Sequence, residues 1–258
     1  MLIKAKNLRG FKLSGIDGEM GKVKEFFFDE KFWTIRYLVA DTGGWLSERQ
    51  VLISPFFIKT VDYDSDLIHV TLTKDQIENS PPLESDQPIS RQYEEAYYGH
   101  FGAPMYWTGP YVWGSYPFVT SDREKWTNVP SEQKITGDPD LRSTKDITGY
   151  AIQASDDEIG QVYDFIIDDE SWTIRYFVID TSKWLPGKKV LISPEWVDKI
   201  GWVDEKVHVP VSHETIKQSP EYDEDMLNRD YESRLYHYYD RQGYWAEEPA
   251  SKEYNYHR

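Results

Sequence analysis

The stretch WTIRYLVADTGGWLSERQVLISP, Trp33 to Pro55, recurs as WTIRYFVIDTSKWLPGKKVLISP from Trp172 to Pro194, so whatever the first copy folds into, the chain builds twice. The offset of 139 (172 − 33) holds without a gap from Leu2/Leu141 to Pro81/Pro220, so every turn keeps its length. About 29 of the roughly 80 aligned positions are identical, where composition alone gives on the order of 5. This is a duplicated folding unit rather than a coincidence of strand-like residues.

Within each copy the β-branched and aromatic run Trp33, Thr34, Ile35, Tyr37, Val39 stops at Asp41. Gly43 and Gly44 follow in a turn, and Val51 to Ile53 start again as a strand. In copy two, Tyr176 and Val178 alternate with Phe177 and Ile179, so both faces of that strand must be covered. Gly10 to Ser14 is read as the first strand, with Asp17-Gly18 turning into Gly21 to Asp29. Two more strands are expected near Ile58 to Val61 and Leu67 to Leu72. Thr73 and Gln76 stand at capping-box spacing for a short helix through Glu78, and Ser212 is the equivalent cap. Five or six short strands in about 80 residues predict an all-β (mainly β) chain: two small β-barrels in tandem, with short helices and irregular aromatic-rich flanks. The expected boundaries are 1–81 for barrel one, 82–140 for a connecting segment with a short helix, 141–220 for barrel two and 221–258 for a tail.

The consensus of the two copies, G-x-V-x-x-F-x-x-D followed by W-T-I-R-Y-x-V-x-D-T, W-L and V-L-I-S-P, resembles the PRC-barrel domain. That family is named for the cytoplasmic cap of the photosynthetic reaction centre H subunit, and it also supplies the C-terminus of a ribosome-maturation factor. P-I-S-R-Q-Y-E-E, Pro88 to Glu95, is similar to the segment that follows the first barrel in tandem PRC-barrel proteins of bacteria. The resemblance implies a β-barrel fold and an adaptor or assembly role, in which the chain binds a protein partner or itself without catalysis. A fold does not carry its hosts' activities with it, so the function is argued from the residues as well.

The net charge of −16 is spread along the chain and argues against nucleic acid, which needs clustered Lys and Arg. No cysteine is present, which excludes disulfides and thiolate metal sites. Neither a signal-peptide-like apolar run at the start nor a run of about 18 apolar residues appears, so a cytoplasmic protein with no integral membrane segment is expected. Asp62, Asp64 and Asp66 open like a calcium loop, but Leu67 and Thr73 stand where its glycine and bidentate Glu belong. His69 and His208 are equivalent positions, and His208 with His213 gives two possible metal ligands, but no third ligand of either copy stands at a recognisable spacing, and neither metal nor cofactor is expected.

Two features carry candidate residues. Arg36 and Arg175 lie inside apolar strands, where an unpaired charge is costly. Each is expected in a structural ion pair, Arg36 with Asp29 or Asp41 and Arg175 with Asp168 or Asp180. Outside the repeats the chain is unusually rich in tyrosine and tryptophan, with Tyr93, Ala96, Tyr97 and Leu227, Tyr231, Leu235, Tyr238 at helical spacing within 90–98 and 225–239. These rings pack either on the chain's own barrels, the more economical reading, or as an interaction surface of Tyr93, Tyr97, Tyr98, Tyr106, Trp107, Tyr111, Trp113, Tyr231, Tyr236 and Tyr239. The alternative to an adaptor is a small-ligand-binding protein or an enzyme that uses a cleft between the barrels.

Overall fold

A computed structural model describes residues 1–46, 49–83, 89–107, 141–181 and 188–246. The first copy comprises β1 (Leu2–Lys4), α1 (Ala5–Leu8), β2 (Lys12–Gly15), β3 (Gly18–Asp29), β4 (Thr34–Asp41), β5 (Gln50–Ile53), β6 (Ile58–Asp62), β7 (Leu67–Val70) and α2 (Lys74–Glu78). Helix α3 (Arg91–Phe101) follows it. The second copy repeats the series as β8 (Leu141–Ser143), α4 (Thr144–Ile147), β9 (Ala151–Gln153), β10 (Glu158–Asp168), β11 (Thr173–Asp180), β12 (Lys189–Ile192), β13 (Lys199–Gly201), β14 (Lys206–His208) and α5 (His213–Gln218), with α6 (Arg229–Tyr238) after it.

The chain is mainly β, and both copies use one strand order. It runs β6-β7-β2-β3-β4-β5 in the first and β13-β14-β9-β10-β11-β12 in the second. In each, the second strand pairs parallel to the last, β2 on β7 and β9 on β14, while the long strands pair antiparallel. Central strand β4 is buried from Thr34 through Ala40 and β11 from Thr173 through Ile179. Both faces are therefore covered, as the doubled apolar alternation requires. Gly21 permits a close approach here. Its φ is +133°, and a Cβ on it would stand 2.1 Å from the carbonyl oxygen of Asp41. Thr73 and Gln76 form the expected capping box, and Ser212 caps α5 by accepting from the Thr215 N–H.

The first strand of each copy pairs with a strand of the other. Strand β1 pairs with the end of β10, Leu2 opposite Asp168, and β8 pairs with the end of β3, Leu141 opposite Asp29. These two contacts are the same contact displaced by 139 residues, so each copy lends its first strand to the other. Compact units of the chain consequently cut across the repeats. One takes Met1–Tyr150, Val162–Phe177 and Ser193–Glu195, and the other takes Ala151–Gln161, Val178–Ile192 and the remainder from Trp196. The strand expected first, at 10–14, is β2, and both β1 and α1 precede it.

Where the organising strands begin, Trp33 and Trp172 both adopt left-handed backbone at φ 54°. This conformation is costly for a bulky residue and persists only when its surroundings enforce it. Here the enforcement is reciprocal: Ile174 N–H donates to the Trp33 carbonyl and Ile35 N–H to the Trp172 carbonyl, both at 2.7 Å. Around them Phe28 stacks on Trp33 at 5.4 Å, Trp33 meets Phe177 edge-on at 5.3 Å, and Phe165 meets Phe177 at 5.5 Å. Polar contacts close the exchange. The Asp164 carboxylate accepts from the Lys6 N–H at the start of α1 at 3.2 Å, and the Ser143 hydroxyl donates to Glu25.

Candidate functional site

The turn that ends β3 is built by Asp29. Its Oδ1 accepts from the N–H groups of Lys31 (2.9 Å) and Phe32 (3.2 Å), and its Oδ2 accepts from Arg36 Nη2 at 3.1 Å. Arg36 thus pairs with Asp29, while Asp41 instead accepts from the Gly43 N–H at the far end of the strand. In the second copy Arg175 pairs with Asp168 at 3.2 Å, and Asp168 also accepts from the Ser171 hydroxyl at 2.8 Å. Burial pushes Asp168 up, but the Ser171 hydrogen bond and the Arg175 charge outweigh it and hold the carboxyl below its ordinary range. Asp180 closes β11 at an intermediate depth.

Arg36 is buried, and its remaining nitrogens Nε and Nη1 have no hydrogen-bond partner among the described residues. The guanidinium lies over the ring of Tyr106, 4.1 Å from its centroid. That ring belongs to the segment after α3, and its hydroxyl donates to Glu94 at 3.0 Å. Glu94 is wholly buried. It also accepts from the Tyr37 hydroxyl of β4 at 2.8 Å and from Arg91 at 2.7 Å, and Arg91 in turn lies 4.0 Å from the centre of the Trp107 ring. Burial pushes Glu94 up; Arg91, Tyr37, Tyr106 and Arg36 pull it back, and it settles at about 7. Tyr37 is driven well above its ordinary value, first by burial and then by Tyr98 and Glu94.

The helix is fastened along its length. Tyr97 donates to the Leu52 carbonyl at 3.1 Å and accepts from the Ser54 N–H at 3.0 Å, and Phe101 packs on Phe57 at 5.1 Å. The tail repeats this clasp. Arg229 pairs with the buried Glu232 at 3.2 Å, Tyr244 donates to Glu232 at 2.9 Å, and Arg229 lies 4.3 Å from the Trp245 ring. Tyr236 and Tyr239 pack on Trp196 at 4.9 and 4.7 Å.

Of the two readings of the aromatic flanks, the described rings follow the one in which they pack on the chain itself. Tyr97, Tyr98, Tyr106, Trp107, Tyr231, Tyr236 and Tyr239 are buried within the chain, and Tyr93 is half-buried with its hydroxyl on the Pro81 carbonyl. Amphipathic helices with rings on one face bury that face on the nearest apolar sheet, which is the chain's own. Tyr111 and Trp113 lie outside the described residues. The sequence reading missed Glu94 and Glu232. Arg91-Gln-Tyr-Glu and Arg229-Asp-Tyr-Glu recur at an offset of 138 (229 − 91), as do Tyr106-Trp107 and Tyr244-Trp245, and that recurrence was the signal.

A cleft of about 350 Å³ opens elsewhere, lined by Pro55, Ile58, Lys59, Val61, Asp169 and Trp172 among others. Glu94 takes no part in it. Asp62, first of the candidate calcium-loop acids, instead accepts from the N–H groups of Asp64 and Ser65 and closes the β6–β7 turn. Among the described residues no helix is long and apolar enough to cross a membrane.

Comparison with known proteins matches the same two segments that fold alike. A protein of Deinococcus radiodurans, named only as uncharacterized, is 34% identical over 79 residues, which is 30% of this chain and 28% of that protein. The sequence model of the PRC-barrel domain matches residues 1–77 and again 139–215, and the chain belongs to the PRC-barrel domain family.

Proposed function

We propose that this chain is a non-enzymatic, cytoplasmic assembly scaffold that presents a pre-organised surface to a protein partner or to a second copy of itself. The observation that carries the reading is where the chemistry-bearing groups go. Arg36 is taken up by Asp29, Arg175 by Asp168, and Glu94 by Tyr37, Tyr106 and Arg91, all inside the fold. Groups spent this way build rigidity, and a rigid surface loses less entropy on binding. Membership of a family of interaction domains supports the same reading. Affinity capture of the tagged chain from its native host, with quantitative mass spectrometry, is expected to enrich one protein, or untagged chain, in stoichiometric amount. Recovery of the chain alone with a bound small molecule contradicts it.

The second reading, a small-ligand protein, keeps one observation of its own: a cleft with an indole wall at Trp172 and a carboxylate at Asp169. A thermal-shift screen separates the two, because a ligand of that cleft loses its stabilising effect in Trp172→Ala.

A further inference from the structure

We propose that the cleft beside β6 is a docking groove for an extended segment of a partner protein, which adds to β6 as a further strand and turns a basic side chain towards Glu170. The inference rests on the scaffold reading and gives its partner a place and a chemistry. Strand β6 ends the strand order, and among the described residues it pairs with β7 alone. Its other edge is open, and the cleft of about 350 Å³ runs along that edge, as the lining shows. Side chains of a strand alternate between two faces, so a cleft over one face meets every second residue. This one meets Ile58, Lys59, Thr60 and Val61 in succession. It therefore lies along the edge of the strand, where backbone N–H and C=O groups point outward.

The facing wall is the turn from β10 to β11, with Asp169, Glu170 and Trp172. The two walls are tied together. Tyr63, directly after β6, donates its hydroxyl to Asp169 Oδ2, so the groove stands formed before anything enters and binding has little left to order. Asp169 is spent on that bond and on the Met1 amino group. The Glu170 side chain, in contrast, is 88% exposed and free to meet a cation, and the net charge of −16 favours a basic arrival. Pro55 and Trp172 add an apolar contact. Strand β6 has five residues, about 17 Å of edge. Donors and acceptors repeated along such a length are matched by another backbone, which is how strand addition works. A second copy of this chain fits less well, because a self-complementary contact would set groove against groove. Indiscriminate pairing is checked as well. Lys59 is exposed, and the register shift between Ile58 and Thr60 leaves it without an opposite residue on β7. A lysine and a bulge both blunt a free edge, so selectivity falls to Glu170 and Trp172.

Panning a displayed library of linear peptides of about eight residues on the full chain tests it. Selected peptides are expected to alternate β-branched or aromatic residues with polar ones and to carry Lys or Arg. A strand added to an edge directs only every second N–H towards it. Synthetic binders should therefore lose more than about tenfold in affinity when N-methylated at alternate residues, and little at the residues between. Glu170→Arg, at an exposed position, should weaken them about fivefold or more. Binders indifferent to where the N-methyl group sits, or untouched by Glu170→Arg, overturn the proposal, and so does a failure to select any. Self-association of the chain that Glu170→Arg abolishes gives the edge to a second copy and overturns it too. The N-methyl series uses wild-type protein, so it decides alone should the variant misfold. If no peptide is selected while affinity capture still recovers a stoichiometric partner, the groove falls and the scaffold reading stands.

Discussion

Removing the two halves of the Arg36–Asp29 pair should have very different costs. The guanidinium is buried, bonds Asp29 through Nη2 at 3.1 Å, and leaves Nε and Nη1 without partners among the described residues. Each buried unsatisfied donor costs about 1–3 kcal/mol. Arg36→Met removes both, and it gives up one charged hydrogen bond and a contact with the Tyr106 ring worth about 1–2 kcal/mol. The remaining Asp29 still holds the N–H groups of Lys31 and Phe32. The terms nearly cancel, and Arg36→Met should lie within about 2 kcal/mol of wild type. Asp29→Asn instead strands a buried cation, at about 3–5 kcal/mol. For a chain of this size 1 kcal/mol is roughly 2–4 °C in Tm, so calorimetry should show Asp29→Asn about 10 °C below wild type and Arg36→Met within about 6 °C. The double variant should recover most of the loss. If Arg36→Met falls as far as Asp29→Asn and the double variant is no better, the guanidinium is a net stabiliser and the reasoning fails.

Gly21→Ala should cost more than about 3 kcal/mol in denaturant unfolding, because its Cβ would stand 2.1 Å from the Asp41 carbonyl oxygen at a φ that alanine avoids. Wild-type stability in that variant would mean that the β3–β4 edge is placed wrongly. Thr73→Ala should cost about 1 kcal/mol by opening the cap on α2, and Thr73→Ser should restore most of it. Tyr37→Phe removes a donor to Glu94, so the carboxyl midpoint should move up from about 7, and a downward move would contradict the hydrogen bond.

Periodicity and turn residues made most of the strands legible, because Trp33 to Ile53 alternates and punctuates as two strands must. The capping box was legible because Thr73 and Gln76 carry its chemistry at fixed spacing. Pairing partners were not. Leu2–Lys4 has three residues and no period that says which edge it joins, so its place on β10 is set by tertiary packing. The left-handed backbone of Trp33 was equally hidden, since a tryptophan is the last residue composition would put there. Glu94 reads as a solvated acid at i,i+3 from Arg91, and only the tyrosines that converge on it from β4 and from residue 106 explain its burial.

The central claim is that the two copies interlock by exchanging first strands. The most direct measurement introduces a specific protease site between residues 108 and 140 of the full chain, cuts it, and follows the product by size exclusion with light scattering at micromolar concentration. Ladders β1–β10 and β3–β8 and the shared Phe28, Trp33, Phe165 and Phe177 cluster should hold the two pieces together. The account predicts one particle of undiminished mass. Two pieces that elute apart, each folded and melting where the intact protein melts, would contradict it.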